Sequence, residues 1–421
     1  MNTRMEYIIT PPAKLRTTVK LPASKSISNR ALIIYALSDC CIMPDNLSNC
    51  DDTEVIIRAL RDNPAVIDIG AAGTAMRFTT AYLAATASGE HLLTGTERMK
   101  HRPISILVDA LRYLGAQIEY AGEEGFPPLR IKGSHLQGGY LEVDGNVSSQ
   151  FISALLMIGP LLEKGLTLHL MGDIISRPYI DLTLWVMRKY GAKVDWTGID
   201  TIEVKPQRYE PRTFYIENDW SAASYWYELV ALSNDAEAEV KLEGLMDGSK
   251  QGDSSVRYIF SLLGVSTRFA SRKNGEPTTV TLSKSVHRVP RLEFDFSKAP
   301  DLAQTIVVTC CALGVPFHFT GLQTLKIKET DRIAALKAEM AKLGYVLTDA
   351  NGSELSWDGS KLPCNEERVV IDTYDDHRMA LAFAPLALQR PIAIRKPQVV
   401  TKSYPQFWDH LYQAGFEIDK G

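Results

Sequence analysis

Cysteine is scarce in this 421-residue sequence: Cys40, Cys41, Cys50, Cys310, Cys311 and Cys364, none in a CxxC spacing. That excludes a disulfide-stapled small fold and the usual thiolate zinc site, and the two vicinal pairs suit buried, reduced thiols. The eight histidines are scattered with no HExxH pair, so no structural metal is expected. Long apolar runs are also missing. The most apolar stretch, Thr305 to Val315, is far shorter than the ~20 residues a membrane span needs. The N-terminal MNTRMEYIITPPAKL has neither the apolar core of a signal peptide nor the Arg- and Ser-rich character of a transit peptide, so a soluble, cytoplasmic protein is expected. Neither sign of charge dominates, with 46 Lys and Arg against 50 Asp and Glu and a net charge of -4. This argues against a nucleic-acid or membrane binder while leaving room for a local cationic pocket that takes a small anion.

What the sequence does contain is periodic. An amphipathic helix ending in Gly and followed by an apolar strand recurs in LVDALRYLGAQIEY, LTLWVMRKYGAKVDW, VRYIFSLLGVSTRF, IAALKAEMAKLGYVLT and FWDHLYQAGFEI. The glycines, Gly115, Gly191, Gly264, Gly344 and Gly415, fit the left-handed position just past a helix. They recur at roughly 75-residue intervals, longer than the period of stacked solenoids. EVIIRALRDNPAVIDI reads as a clipped sixth copy ended by Asn63-Pro64. Six such units, in a chain too long for one ordinary core, suggest two domains of three repeats. Hinges are expected near Leu21-Pro22 and near Glu217 to Trp220. The first domain would then be discontinuous, 1–21 plus 218–421, with 22–217 as the second.

A second regularity is cations at predicted helix starts, where free N–H groups and the dipole already favour anions. In LPASKSISNRALIIYAL, Ser24 is an N-cap candidate, Lys25 opens the helix, and Ser26 and Arg30 share a face. Ile27, Ala31, Ile34 and Leu37 form the predicted buried stripe. VIDIGAAGTAMRF runs from a strand through Gly73 to a Thr74 cap and Arg77, without the spacing of a GxGxxG or Walker loop. KETDRIAALKAEM offers Lys328, Glu329 and Arg332 around a Thr330 cap, and YDDHRMAL offers Asp376, His377 and Arg378. TKSYPQFWDHL offers Lys402 before a Ser403 cap, with Pro405 in the first turn. GNVSSQF puts Ser148, Ser149 and Gln150 at a helix start, and SRPYIDL does so with Ser176 and Arg177. Any one of these also fits a solvated surface helix. Their recurrence in both halves points to a receptor for multiply charged small molecules. Asp301 and Glu329 are the carboxylates placed among these cations, suited to a proton-transfer role or to a plain salt bridge.

Taken together, LPASKSISNRAL, AGTAMR, RMKHRPI, VSSQF, SRPYIDLTL, DLAQTI, KIKETDR, DDHRMA and TKSYPQF resemble the enolpyruvyl transferases, most nearly the 5-enolpyruvylshikimate-3-phosphate synthase family, in the family's order along nearly the whole chain. The resemblance implies an α/β (α+β) fold of two similar domains, each of three βαβαββ-type repeats, with helix N-termini facing an interdomain cleft that closes on its substrates. It implies a monomer with no metal or organic cofactor, a target for the inhibitor glyphosate. The implied reaction carries the enolpyruvyl group of phosphoenolpyruvate to the 5-hydroxyl of shikimate 3-phosphate by addition and elimination, on the way to chorismate and aromatic amino acids.

By the same resemblance, Lys25, Ser26, Arg30, Ser148, Ser149, Gln150, Ser176, Asp301, Thr324 and Lys328 hold shikimate 3-phosphate. Lys25, Gly73, Arg102, Gln150, Arg332, Arg378 and Lys402 hold phosphoenolpyruvate. Glu329 is implied as proton donor and Asp301 as acceptor, with Lys25 a further proton-transfer candidate. The chain departs from the family at Ala71 and Thr324, where Asn is common, and at Phe78, where Pro is frequent. These departures bear on loop rigidity, one shikimate hydrogen bond and inhibitor sensitivity, and leave the cations and both carboxylates in place. Two alternatives are the sister enzyme acting on UDP-N-acetylglucosamine and a non-catalytic anion-binding relative. The first usually carries a reactive mid-chain Cys, and none lies between Cys50 and Cys310.

Overall fold

The structure, a computed structural model, describes residues 5–38, 42–86, 89–271, 273 and 275–421. Cys40 and Cys41, expected as buried thiols, lie outside the described residues; Cys310 and Cys311 are buried and free. The chain forms two compact units, residues 1–22 with 217–421 and residues 23–216. Each closes around its own apolar core.

One motif builds both units. A strand leads into a helix, a second strand lies parallel to the first, another helix follows, and a hairpin returns antiparallel to the second strand. In the unit 23–216 the sheets run Val66–Asp68, Glu90–Thr94, Leu129–Lys132, Gln117–Tyr120, and Gly139–Asp144, Leu166–Met171, Thr201–Val204, Val194–Trp196. Parallel register is set by pairs such as Val66 with Leu92 and Leu141 with Leu168. The third repeat keeps its helices, Lys25–Leu37 and Asp51–Asp62, but among the described residues its sheet is reduced to one parallel bridge, Asp45 to Tyr215. Asn63 ends the second helix in the left-handed region at φ 38°, doing for this clipped copy what glycine does for the others.

The unit formed by 1–22 and 217–421 has three sheets of the same order. The first begins with Arg16–Lys20, which pairs in parallel with Glu239–Met246 across the long excursion through residues 23–216. The second starts from Leu292–Asp295 beside Phe317–Thr320. The last is completed by the N-terminal strand Glu6–Thr10, which lies between Ile392–Arg395 and Glu417–Lys420 and pairs antiparallel with both.

All five repeat glycines take positive φ: 107° at Gly115, 81° at Gly191, 90° at Gly264, 89° at Gly344 and 93° at Gly415. At Gly344 a side chain would also meet the Leu362 carbonyl oxygen at 2.3 Å, so both conformation and space require glycine. Within a repeat each helix follows the C-terminal end of one of two parallel strands. Its two helix starts therefore lie at one sheet edge, the position where open α/β sheets bind ligands. Several of these helices are buried nearly all round. Lys25–Leu37 buries Ser28, Asn29, Arg30, Leu32 and Ile33 as well as the predicted stripe. Two of its polar residues find partners on the following segment, Ser28 Oγ accepting from Ser48 N at 3.0 Å and Asn29 Oδ1 from Thr53 Oγ1 at 2.8 Å.

Candidate active site

In the unit 1–22/217–421, six of the predicted site residues form one connected ionic network. Arg332, the first residue of the helix Arg332–Lys342, is 1% exposed and lies at its centre. Its Nε donates to Asp376 Oδ2 at 2.7 Å, one terminal nitrogen to Glu329 Oε2 at 2.9 Å and the other to Asp301 Oδ1 at 3.1 Å. Arg378 pairs with Asp301 Oδ2 at 2.9 Å, Lys402 with Glu329 Oε1 at 3.0 Å, and Lys328 with Asp301 Oδ1 at 3.8 Å. Burial alone would depress the Arg332 guanidinium; Asp376, Glu329 and Asp301 together drive it above its ordinary value. Burial holds the Lys328 ammonium below its usual value, with Asp301 opposing. Arg378 is aimed by its own hydrogen bonds to the Asp301 carbonyl at 3.0 Å and the Tyr225 hydroxyl at 3.3 Å. That phenol is pushed up to about 12, chiefly by burial.

Local chain geometry sets these positions. Asp331, rather than Thr330, caps the helix Arg332–Lys342, accepting from Ala334 N at 3.0 Å. Glu329 therefore lies in the lead-in. Lys402 ends a 3₁₀ turn, Pro397–Lys402, and the helix begins only at Phe407, so Ser403 is no cap and Pro405 lies outside the helix. Asp376 caps the helix His377–Phe383 through Arg378 N at 2.9 Å while gripping Arg332. The loop before it turns sharply, with Tyr374 at φ 54° and Asp375 at φ 55°. Thr324 sits in the 3₁₀ turn Gln323–Ile327, its hydroxyl buried with no hydrogen-bond partner among the described residues.

The unit 23–216 gathers the remaining predicted residues. Lys25 Nζ lies 3.5 Å from Asp52 Oδ2 at the start of the next helix. Arg30 is 3% exposed. It donates to Ser26 O at 2.8 Å, Thr183 Oγ1 at 2.7 Å, Ser153 Oγ at 3.1 Å and Tyr179 O at 3.3 Å. It thus ties Lys25–Leu37 to the helix Ser149–Ile158 and to Arg177–Lys189, the helix that follows Ser176. Burial lowers its guanidinium to about 10. Ser148 caps Ser149–Ile158 through Gln150 N at 3.4 Å, and Gln150 Nε2 donates to Thr74 Oγ1 at 3.1 Å. Thr74 is thus a partner of Gln150, since the cap position of the helix Gly73–Ala85 belongs to Ala72. Ser24 holds its cap position without a side-chain cap bond. Gly73 packs against Arg102: a Cβ there would lie 2.6 Å from a guanidinium nitrogen. Ser176 is 7% exposed and left-handed at φ 55°.

Three site neighbours went unnoticed in the sequence: Asp52, and the carboxylates Asp219 and Asp253 at helix starts of the first repeat of the unit 1–22/217–421. Only the repeat itself, laid over NDWSAAS and QGDSS, signals the latter two.

Comparison with solved structures defines the class. An EPSP synthase from Acinetobacter baumannii superposes with a TM-score of 0.78 at 21% identity, covering 99% of this chain and 100% of that one. The enolpyruvyl transferase NikO from Streptomyces tendae does so at 0.73 and 14% identity, covering 100% and 99%. The fold is that of the enolpyruvyl transferases. The sequence pattern of the EPSP synthase (3-phosphoshikimate 1-carboxyvinyltransferase) family matches residues 9–62 and 61–411. The 3-phosphoshikimate 1-carboxyvinyltransferase of Bacteroides fragilis is 57% identical over 418 residues, 99% of this chain and 100% of that protein. That of Vibrio cholerae is 34% identical over 440 residues, 97% and 99%. This chain belongs to the EPSP synthase family.

Proposed function

We propose that this chain transfers the enolpyruvyl group of phosphoenolpyruvate to the 5-hydroxyl of shikimate 3-phosphate with release of phosphate, as a cytoplasmic monomer with domains 1–21/218–421 and 22–217. The network around Arg332 carries the reading: two carboxylates, Asp301 and Glu329, share the helix-start Arg332, with Arg378 also on Asp301 and Lys402 also on Glu329. Binding anions gains nothing from added carboxylates, whereas proton transfer to carbon and from oxygen needs them.

In this reading Arg332, Arg378, Lys402, Arg102, Lys25 and Gln150 take the phosphate and carboxylate of phosphoenolpyruvate, with Gly73 allowing close approach. Guanidinium forks suit such anions. Ser148, Ser149 and Ser176 hold the phosphate of the acceptor, with Ser26, Arg30, Gln150, Asp301, Thr324 and Lys328 about its ring. An arriving dianion draws Arg332 and Lys402 away from Glu329 and adds negative charge beside it. Both changes favour a protonated Glu329, able to give its proton to the methylene carbon. Asp301 then takes the proton of the attacking hydroxyl, with Lys25 as a further proton carrier. Loss of phosphate from the tetrahedral adduct, with a proton of the new methyl group returning to the Glu329 carboxylate, restores the double bond.

Phosphate release should appear with phosphoenolpyruvate plus shikimate 3-phosphate and not with phosphoenolpyruvate plus UDP-N-acetylglucosamine. Release only with the nucleotide sugar would overturn the acceptor, and release with neither would overturn the reaction. The variants Glu329→Gln and Asp301→Asn should fold normally and lose on the order of 10²- to 10⁴-fold in kcat. Near-normal turnover would remove the corresponding role.

A further inference from the structure

In the unit 1–22/217–421 the repeats place equivalent helix starts in register. After the first strand of the second and third repeats stand Asp301 and Asp376; after the second strand stand Lys328 to Arg332 and Lys402. The first repeat offers carboxylates at both places, Asp219 before the helix Trp220–Leu232 and Asp253 in the turn Gly252–Ser255.

Asp253 is 4% exposed. Its Oδ2 accepts from the Ser221 hydroxyl, and its Oδ1 is buried with no hydrogen-bond partner among the described residues. Glu217, equally buried, collects four donors: Trp220 Nε1, Met246 N, Ser249 Oγ and Gln251 Nε2. An ionised carboxylate needs such company, and Asp253 lacks it. The charged groups facing Asp253 are Asp219 from the Trp220 helix, Asp301 from the turn Pro300–Leu302 and Arg378 from the His377 helix. Burial, then the Asp301 carboxylate, push its carboxyl up to about 7, with Arg378 and Ser221 opposing.

We propose that Asp253 is a positioning residue for the transfer reaction: as a neutral acid beside Asp301 it leaves Arg378 to Asp301 and the donor, and its ionisation weakens donor binding. Among the named groups, Lys328, Arg332, Arg378 and Lys402 balance Asp219, Asp301, Glu329 and Asp376. One further carboxylate makes the set net negative, the wrong sign for phosphoenolpyruvate. The inference rests on the assignment of Asp301 and of the donor-binding cations made above.

The test is KM for phosphoenolpyruvate and kcat, at saturating shikimate 3-phosphate, across about pH 5.5 to 9 for the unaltered enzyme, Asp253→Asn and Ser221→Ala. Titration of the donor itself is common to all three, so the ratio to the unaltered enzyme is read. Relative to Asp253→Asn, whose amide mimics the neutral acid, the unaltered KM should rise about five- to tenfold through neutrality, a single charge acting at short range, while the kcat ratio stays constant with pH. Ser221→Ala removes the Ser221 hydroxyl that donates to the ionised form and should move the rise to higher pH. A pH-independent KM ratio, or a rise moved to lower pH in Ser221→Ala, overturns the proposal; should Asp253→Asn fail to fold, Ser221→Ala decides it. Glu329→Gln and Asp301→Asn separate the two readings. If they keep turnover, the site assignment fails; if they lose it and the Asp253→Asn ratio is flat, only the role of Asp253 fails.

Discussion

Glu228 lies within the helix Trp220–Leu232, fully buried, and neither of its oxygens meets a donor among the described residues. The Thr309 hydroxyl, which opposes burial at Glu228, gives its proton to Thr305 O at 2.7 Å and so opposes it only weakly. Burial therefore holds the Glu228 carboxyl far above the usual carboxylate range. The native state keeps it protonated where the unfolded chain, with a pKa of about 4.3, ionises it. A raised carboxyl pKa means the folded state binds more protons, so stability falls as pH climbs above the unfolded value, by about 1.4 kcal/mol per pH unit until the folded value is reached. Glu228→Met, of similar volume, should accordingly raise the melting temperature at pH 8 and much less near pH 4.5. A shift independent of pH would mean the acid is not neutral in the fold. At this same scale the cations of the site could be read from the sequence and the acids of the first repeat could not. A Lys or Arg at a helix start opposes the dipole and so calls for an anion, whereas Asp219 at such a start is what capping alone prescribes. It does cap, accepting from Ser221 N at 2.7 Å. Gly73 adds a further residue-level expectation. Gly73→Ala must displace the Arg102 guanidinium, which a Cβ would meet at 2.6 Å. KM for phosphoenolpyruvate should rise about tenfold or more, as expected when a charge-assisted hydrogen bond is lost, with little change in melting temperature.

Helices and their ends show how far periodicity carries. Each repeat glycine does take the left-handed turn expected of it, because that conformation strains any residue with a Cβ. Cap identity was less legible. Thr74 and Thr330 are adequate caps in isolation, yet Ala72 and Asp331 hold those positions. Asp331 is the better acceptor by one residue, and Thr74 is drawn to Gln150 across helices, a contact that no local pattern announces. Two glycines separate conformation from space. Gly314 ends the helix Ala303–Leu313 at φ 70°, and an added methyl there would meet nothing within 4 Å, whereas Gly344 combines φ 89° with the Leu362 carbonyl at 2.3 Å. Gly314→Ala should cost about 1 kcal/mol and Gly344→Ala about 2 to 4 kcal/mol, left-handed strain plus a backbone clash. Urea midpoints of the two variants measure the difference directly, and equal losses would mean the clash at Gly344 relaxes freely.

At the scale of the whole chain, a repeat visible in spacing became a repeat in topology, but its completion depends on long-range pairing that spacing cannot reveal. The strand Glu6–Thr10 is internal to its sheet, with Ile9 against Ile392 on one side and Ile418 on the other. Ile9 is 2% exposed in the core of that unit. Deleting residues 1–11 would leave two strands with unpaired inner edges and open the core, losses far beyond the few kcal/mol by which a domain is stable. Residues 23–216 share none of these pairs and close around a separate core. The deletion should therefore abolish the unfolding transition of 217–421 and leave that of 23–216. Calorimetry would show one remaining endotherm. Supplying residues 5–11 at the C-terminus after a short Gly/Ser linker should restore the lost transition, since Glu417–Lys420 runs beside Glu6–Thr10 and Gly421 N donates to Glu6 O at 3.0 Å. Failure of that permuted chain to recover the transition would show that the strand must be present at the N-terminus for the unit to fold.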